Sequence, residues 1–261
     1  MAKNKKQVNI NEDGEQVMSL TDHLKELRNR IIVCVAVLIV GFVVFLSQAS
    51  VIVDMLTQMG IDNGYQFVYL SPQELMIQHI GISGMCAIVI TVPVLAYECY
   101  AFMSPGLKKN ENQFFMAAMI FGIICFVLGV LFAHKIALPF MLNFLYKFNT
   151  TDYITAQISI ESYLSFVMTV YIIFGIVFEM PVISGALTQF GLLNPEWLVK
   201  GRSVAIVAIF FVAAVITPPD IVSQIMTAIP MVALYQVSII ICKFIYKFKK
   251  KKDEDENEDD E

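Results

Sequence analysis

Two carboxylates that flank apolar stretches offer the clearest chemistry in the chain. Glu26 lies just before the first apolar stretch, in His23-Leu-Lys-Glu26-Leu-Arg28-Asn-Arg30, and Glu111 follows the second, in a short loop that begins at Ser104-Pro105-Gly106. Carboxylates accept paired hydrogen bonds from a guanidinium, which selects arginine over lysine. If both acids lie at one face of a membrane, they could clamp a ligand with two neighbouring arginines.

Each of these acids also has a simpler interpretation. The run Ser19-Leu-Thr-Asp22 is typical of a helix start. Apolar residues then recur at helical spacing, at Leu20, Leu24, Leu27 and Ile31. This pattern is typical of an amphipathic helix at the membrane interface, in which Glu26 would be one charge of the polar face. A lone loop acid such as Glu111 is a solvated charge in most proteins. The residues alone leave these alternatives open.

A third acid, Glu179, lies inside an apolar stretch, in Phe178-Glu179-Met180-Pro181. A charged side chain at mid-membrane costs roughly 2.5–3.5 kcal/mol on insertion scales, so an ionisable residue there is usually functional. Pro181 has no N–H to donate to the carbonyl of Val177, which predicts a kink beside the acid. The alternative is a protonated Glu179 bonded within the bundle. Glu98, near the end of a span, can extend to the interface and carries less weight.

Two other function classes compete with ligand binding. Gly81-Ile-Ser83-Gly84 matches the GxSG of rhomboid-type intramembrane proteases, but that chemistry requires a histidine base. The chain has only His23, His79 and His134, all before the fourth apolar stretch. A secondary transporter could use Glu179 as a proton relay, but no internal repeat is visible. We therefore expect a protein that is not an enzyme and that uses no cofactor or metal.

The composition indicates a membrane protein. Of its 261 residues, 57% are hydrophobic and 16% are charged, with a mean hydropathy of +0.67. A soluble domain of this size is about 45–50% apolar and about 25% charged. The net charge of −5 is set by the acidic run at 253–261.

Basic residues lie at segment ends rather than on one face, so we expect no nucleic-acid partner. The five cysteines lack CxxC spacing, so neither a zinc site nor a disulfide framework is predicted.

Apolar runs of about 20 residues predict six membrane-spanning helices. They lie at about 31–46, 75–103, 114–133, 163–190, 203–216 and 221–245, and leave two long outer loops at about 47–74 and 134–162. The fifth is short, because about 14 residues cover only ~21 Å against ~30 Å of hydrocarbon. Either Leu198–Arg202 extends it or the bilayer thins locally. The turn Thr217-Pro218-Pro219-Asp220 predicts a tight hairpin between the last two helices.

Lysine and arginine predict the orientation of these spans. With the N-terminus inside, every lysine and arginine except Lys135 and Lys147 faces the cytoplasm, and so do both termini. We divide the chain into a disordered tail at 1–18, a six-helix membrane domain at 19–248 and a charged, disordered tail at 249–261. The last of these has no apolar residue to bury after position 252.

With these stretches in place, the chain closely resembles the TatC family, the membrane core of the twin-arginine protein translocase, from about residue 19 to 248. The resemblance rests on motifs in the family's order and spacing: His23-Leu-Lys-Glu26-Leu-Arg28-Asn-Arg30, Leu70-Ser-Pro72-Gln-Glu74, Ala101-Phe102-Met-Ser-Pro105-Gly-Leu107 with Glu111, Ser162-Tyr-Leu-Ser-Phe166, Phe178-Glu179-Met-Pro181, Thr217-Pro-Pro-Asp220-Ile-Val-Ser-Gln224 and Ile229-Pro230-Met231. Each motif is weak alone, but together they are highly specific.

The resemblance implies a cup-shaped, all-α bundle of six helices in the cell inner membrane. It implies a receptor for folded precursor proteins that carry an Arg-Arg signal peptide. In this family the acids matching Glu26 and Glu111 are linked to binding the arginine pair. Arg28, Phe102 and Pro105 fall at neighbouring positions of that cytoplasmic site.

The resemblance also implies a groove and a set of partners. The acid matching Glu179, beside Pro181, faces the concave groove, and Pro218, Pro219 and Asp220 form the outer turn. The family works with small single-span subunits, TatA and often TatB, and export is driven by the proton-motive force. We further expect self-association and contact with membrane lipids.

Three positions depart from the family pattern. Gln236 stands where many relatives carry Glu, so a partner contact in the sixth span is expected to differ. His134 stands where an aromatic residue is common. A proline common in the first outer loop is absent around 54–58.

Overall fold

The chain is almost entirely helical where its structure is described. A computed structural model describes residues 20–104, 109–149, 157–217 and 220–258, with the backbone alone at 20, 22, 109–111, 149 and 251–258. Its elements in chain order are α1 (Leu20–Ser47), α2 (Ala49–Asp62), β1 (Gln66–Val68), α3 (Glu74–Met103), α4 (Lys109–Phe132), a π-helical segment (Ala133–Ala137), α5 (Leu138–Asn149), β2 (Gln157–Ser159), α6 (Ile160–Phe178), α7 (Met180–Gln189), α8 (Pro195–Lys200), α9 (Arg202–Ile216) and α10 (Ile221–Glu258).

Five helical segments are long and apolar enough to cross a membrane. They are His23–Ser47, Glu74–Met103, Asn112–Phe148, Ile160–Gln189 and Ile221–Lys250. Five of the predicted spans lie within them, which confirms the prediction of a multi-pass helical protein. The remaining predicted span is α9, whose 15 residues cover about 22 Å at ~1.5 Å per residue.

Helix α9 has an apolar face that is largely exposed in the part of the chain that the structure describes. The side chains along this face are 69–74% exposed: Val204, Val207, Phe211 and Val215. The opposite face buries Ile209 and Ala213. An exposed stripe of large apolar residues suits contact with lipid. The composition of α9 therefore favours the predicted fifth span, which stays a prediction.

The third span continues beyond the predicted end at Ala133. Helix α4 passes through the π-helical segment into α5, in a region that we expected to be a loop. A π turn adds one residue per turn and so rotates the side chains that follow it. In α5 this places Leu138, Met141 and Leu142 in the core and leaves Lys147 exposed. The loop prediction was wrong because His134 and Lys135 interrupt the apolar run without ending the helix, and α5 is again rich in apolar residues.

The two segments predicted as outer loops are joined by a small sheet. β1 and β2 pair in parallel, with Gln66 opposite Gln157 and Val68 opposite Ser159. The pairing connects the chain just before α3 to the chain just before α6. Helix α2 lies in the first of these segments and buries Val53 and Leu56.

The main core surrounds α6. Leu164, Val167 and Phe174 are almost completely buried and pack with residues of α3, the π-helical segment and α5. Helix α4 approaches α6 closely at Gly129, where an added Cβ would lie 2.6 Å from the carbonyl oxygen of Phe174. A second buried cluster joins the end of α6 to α9 and α10 and includes Ala213.

Helix α10 runs from Ile221 to Glu258, past the boundary at 249 where we predicted a disordered tail. The backbone is helical through most of that segment. Lysines at 249–252 are followed by acids at 253–256, so opposite charges recur at the i, i+4 spacing that stabilises an exposed helix. The division of the chain at 249 stays a prediction.

Candidate functional site

The N-terminal part of α1 meets the C-terminal part of α3 around one arginine. Arg30 donates from Nη2 to Glu26 Oε1 at 2.5 Å and from Nη1 to Glu98 Oε2 at 2.9 Å. The same Nη2 donates to the carbonyl oxygen of Ala101 at 2.8 Å. The side chains of Arg30, Glu26 and Glu98 are 20%, 25% and 14% exposed. We call these three side chains and the Ala101 carbonyl the Arg30 cluster.

Local sequence explains how the Arg30 cluster forms. Glu26 and Arg30 are four residues apart, the helical spacing at which opposite charges meet. The Ala101 carbonyl lies in the last turn of α3, and the residue four positions further on is Pro105, which has no N–H to offer it. The carbonyl is therefore free to accept from Arg30. The Arg30 guanidinium thus joins the two helices through two hydrogen bonds to α3, and a third bond, to Glu26, lies within α1.

An aromatic contact lies beside the Arg30 cluster. The rings of His23 and Phe102 stack, with centroids 4.2 Å apart and planes inclined by 20°. Phe102 therefore lies next to α1, as its assignment to the same site requires. Arg28 lies outside the cluster: its side chain is exposed and its only hydrogen bond within the described residues is from Nη2 to Asn29 Oδ1, at 3.5 Å.

The second predicted carboxylate lies at the start of α4. Of Glu111 the structure describes the backbone, in the first turn of α4, and Pro105 lies outside the described residues. Ser104 Oγ donates to Asn112 Oδ1 at 3.0 Å, which holds the start of α4 against the end of α3. The backbone of Glu111 therefore lies at the same end of the bundle as Phe102.

Glu179 marks a break in the fourth span. Helix α6 ends at Phe178, α7 begins at Met180, and the Glu179 N–H donates to the carbonyl of Ile176 at 3.1 Å. This is the interruption that Pro181 predicts, and Pro181 itself is buried. The carboxylate faces α4, because a Cβ on Gly122 would lie 3.1 Å from Glu179 Oε2. The absence of a side chain at Gly122 leaves room for this acid.

Gln236, predicted to contact a partner, has a partner within its own chain. Its Oε1 accepts from Arg202 Nη2 at 3.0 Å, and the neighbouring Tyr235 hydroxyl donates to the carbonyl of Leu198 at 2.6 Å. Both bonds join α10 to the segment at α8 and α9. The Gln236 contact is exposed.

Asp220 begins the last helix. Its Oδ1 accepts from the backbone N–H of Ser223 at 2.7 Å, which is the hydrogen bond of a helix N-cap. Pro218 and Pro219 of the predicted outer turn lie outside the described residues. Thr217 ends α9, and its hydroxyl donates to the Ala213 carbonyl at 2.9 Å.

Sequence reasoning missed two members of the site. Arg30 served only to predict orientation, and Glu98 carried little weight. The i, i+4 spacing of Glu26 and Arg30 is visible in the sequence and could have indicated the first pair. No local signal links Arg30 to Glu98, which is 68 residues away.

Comparison with known proteins identifies the family. The family model for the Sec-independent protein translocase protein TatC matches residues 22–230. The chain belongs to the TatC family. The TatC of Helicobacter pylori (strain ATCC 700392 / 26695) is 37% identical over 228 residues, which are 87% of this chain and 88% of that protein. The TatC of Aquifex aeolicus (strain VF5) is 35% identical over 237 residues, which are 89% of this chain and 98% of that protein.

A solved structure agrees with this assignment. The crystal structure of the twin-arginine translocase receptor TatC is similar to this fold with a TM-score of 0.76 at 33% identity, covering 85% of this chain and 99% of that one. This TatC-family chain is therefore a multi-pass membrane protein and a component of the Sec-independent, twin-arginine protein translocase.

Proposed function

We propose that the chain is the receptor subunit of the translocase and binds Arg-Arg signal peptides of folded precursor proteins through Glu26 and Glu111. The observation that carries this proposal is the Arg30 cluster, in which a partly exposed Glu26 carboxylate already holds a guanidinium. A guanidinium on another chain has the same fork of donors and the same charge. At ~4 Å near a protein surface, such a pair gains up to ~4 kcal/mol before desolvation and entropy are subtracted.

The remaining site residues have supporting roles in this proposal. Phe102 stacks on His23 and so holds the turn of α1 that precedes Glu26. Pro105 denies the Ala101 carbonyl a helical partner, which leaves it available to Arg30. Arg28, exposed two residues after Glu26, belongs to the same signal-peptide site.

The proposal requires a defined orientation in the cell inner membrane. The bundle is cup-shaped and has six spans, α9 being the fifth, and both termini are cytoplasmic. The lysine and arginine distribution supports this arrangement, because only Lys135 and Lys147 fall outside. The Arg30 cluster then lies at the cytoplasmic face, where precursors are met.

Partners bind elsewhere on the same subunit. Glu179 and Pro181 line an intramembrane groove for the signal helix or for single-span subunits of the TatA and TatB type, and Gln236 is a contact of this kind on α10. The close approach of Glu179 to Gly122 supports a groove at α4. The subunit also associates with its own copies and with lipids, has no catalytic activity, and exports its cargo with energy from the proton-motive force.

A cross-linking experiment tests the receptor proposal. Full-length protein, in its own membrane with its partner subunits, is presented with a precursor that carries a photo-reactive group beside its Arg-Arg pair. Glu26→Ala with Glu111→Ala should abolish the cross-link, as should Lys-Lys in place of Arg-Arg. Glu196→Ala is the control, because this exposed acid contacts only Lys200, at 3.8 Å, within the described residues. Unchanged cross-linking by the double variant, inserted at the wild-type level, would overturn the proposal.

Labelling of single cysteines tests the orientation. In a variant without its five native cysteines, Lys147→Cys should react with an impermeant maleimide added outside, and Lys200→Cys only after the membrane is opened. The reverse pattern would place the Arg30 cluster on the wrong side of the membrane.

A further inference from the structure

The guanidinium of Arg30 is held by two carboxylates through different nitrogen atoms. Nη2 contacts Glu26 and the Ala101 carbonyl, whereas Nη1 contacts Glu98. The two contacts are therefore separable: Arg30 can release Glu26 and still keep its bond to Glu98. Glu98 is also the more buried of the two acids, and Glu26 is the more accessible to an incoming ligand.

The charges of the Arg30 cluster do not balance. Two carboxylates and one guanidinium leave a net charge of −1. Within the described residues neither Glu26 nor Glu98 makes another ion pair. One additional guanidinium would bring the cluster to neutrality and would give each carboxylate an arginine of its own.

The hydrogen bonding of Arg30 is also incomplete. Its Nε–H is buried and has no acceptor among the described residues, although buried donors are nearly always paired. An arginine that leaves Glu26 and turns fully to Glu98 can pair through Nε and a terminal nitrogen, which is the two-bond geometry that carboxylates favour. Once another cation binds Glu26, Arg30 can therefore pair with Glu98 in a more favourable geometry than it has now.

We propose that Glu98 is a third carboxylate of the signal-peptide site and that Arg30 is a resident guanidinium which a signal-peptide arginine displaces from Glu26 onto Glu98. This inference rests on the proposed receptor function and adds an exchange step to it. Glu98 does not contact the ligand. It is a positioning residue that accepts Arg30 and keeps the Arg30 cluster negative enough to receive a second guanidinium.

The net charges of two variants predict a result that a purely structural role of Glu98 would not produce. Glu98→Gln leaves Glu26 and Arg30 as a neutral pair, so a ligand guanidinium must compete with Arg30 for one carboxylate. Glu98→Gln with Arg30→Gln removes the competitor and restores the charge of −1 on Glu26. The single variant should therefore bind weakly, and the double variant should recover.

The experiment measures binding of a fluorescent Arg-Arg signal peptide, with a Lys-Lys peptide in parallel, to the full-length protein in nanodiscs. Loss of one partly buried charge pair predicts that Glu98→Gln weakens binding by about tenfold or more. Arg30→Gln with Glu98→Gln should return the affinity to within about threefold of wild type. Glu98→Asp, which keeps the charge, should bind nearly normally and guards against misfolding of the glutamine variant.

Each outcome decides a separate question. If Glu26→Gln weakens binding but Glu98→Gln does not, the exchange step is wrong and the receptor proposal stands. If Glu98→Gln weakens binding and the double variant stays equally weak, Glu98 supports the fold and exchange is again wrong. If Glu26→Gln itself binds normally, the receptor proposal fails. Glu196→Gln, on an exposed acid of α8, should match wild type throughout.

Discussion

The imidazole of His23 lies flat against the ring of Phe102, with centroids 4.2 Å apart. The contact joins the start of α1 to the last turn of α3, three residues before Glu26 on one side and one residue after Ala101 on the other. It therefore fixes the approach of α1 to α3 next to the Arg30 cluster. A stacked ring pair contributes about 0.5–1.5 kcal/mol beyond its buried area.

Phe102→Ala should weaken binding of an Arg-Arg peptide by roughly two- to tenfold, since the lost stacking energy converts to that range. Peptide titration in nanodiscs measures the effect. His23→Ala added to Phe102→Ala should cost little more, because the shared contact is already gone. Phe121→Ala, on an exposed face of α4, is the control. An equal loss in this control would contradict a specific role for the stack.

Glu74→Ala should destabilise the end of the bundle that holds the small sheet. Glu74 is 3% exposed, and its Oε1 accepts from the N–H groups of Leu70 and Ser71, both at 3.0 Å. Its Oε2 accepts from Ser159 Oγ of β2 at 3.3 Å. Removing the carboxylate leaves these three part-buried donors without their charged acceptor, which costs about 1–3 kcal/mol.

The expected signature of Glu74→Ala is faster hydrogen exchange at 66–74 and 157–159 and a lower resistance to unfolding by SDS. Glu161→Ala is the matched control, because Glu161 is exposed in the first turn of α6. Wild-type exchange at both strands of the Glu74 variant would show that the sheet does not depend on this carboxylate.

Gly129→Ala should be strongly destabilising, whereas Gly84→Ala should not. A Cβ at Gly129 would meet the backbone oxygen of Phe174 at 2.6 Å, so α4 and α6 would have to move apart; a Cβ at Gly84 meets nothing within 4 Å. Overpacking of this kind costs about 1–3 kcal/mol, while glycine to alanine in an open helical position gains up to ~1 kcal/mol. SDS unfolding compares the two, and equal stability would mean that the close approach is absent.

Asp220→Ala should weaken the start of α10, and Asp220→Asn should not. The Asp220 side chain caps α10 through the Ser223 N–H at 2.7 Å, a bond that an amide oxygen can also accept. Loss of a cap costs about 0.5–2 kcal/mol. Hydrogen exchange over 221–227 is the measurement. If asparagine were as damaging as alanine, the charge rather than the cap would be what matters.

Five of the six predicted spans match helices that are long and apolar enough to cross a membrane, and they were predictable because lipid requires long apolar helices. The continuation of α4 through the π-helical segment was not predictable, because His134 and Lys135 end the apolar run without ending the helix. Whether such a segment continues as a helix or forms a loop depends on the tertiary contacts of its buried side chains. For α5 these contacts come from α6 and the π-helical segment.

The candidate site was predictable in part for a similar reason. Glu26 and Phe102 were assigned from the motifs that carry the family resemblance, and the structure brings both to the same end of α1 and α3. Their connection through Arg30 and Glu98 depends on tertiary packing of α1 along α3. Local spacing could have indicated the Glu26–Arg30 ion pair but not the Arg30–Glu98 pair.

The parallel pairing of β1 with β2 limits where the bundle can deform. The strands precede α3 and α6, so they tether the first turns of these helices. The Arg30 cluster lies about 24 residues further along α3, or about 36 Å away at ~1.5 Å per residue. Helices fastened at one end separate most at the other. Small tilts of α3 therefore move the end that contacts Arg30 more than the end held by the sheet, so a ligand at Glu26 would act where α3 is farthest from its tether.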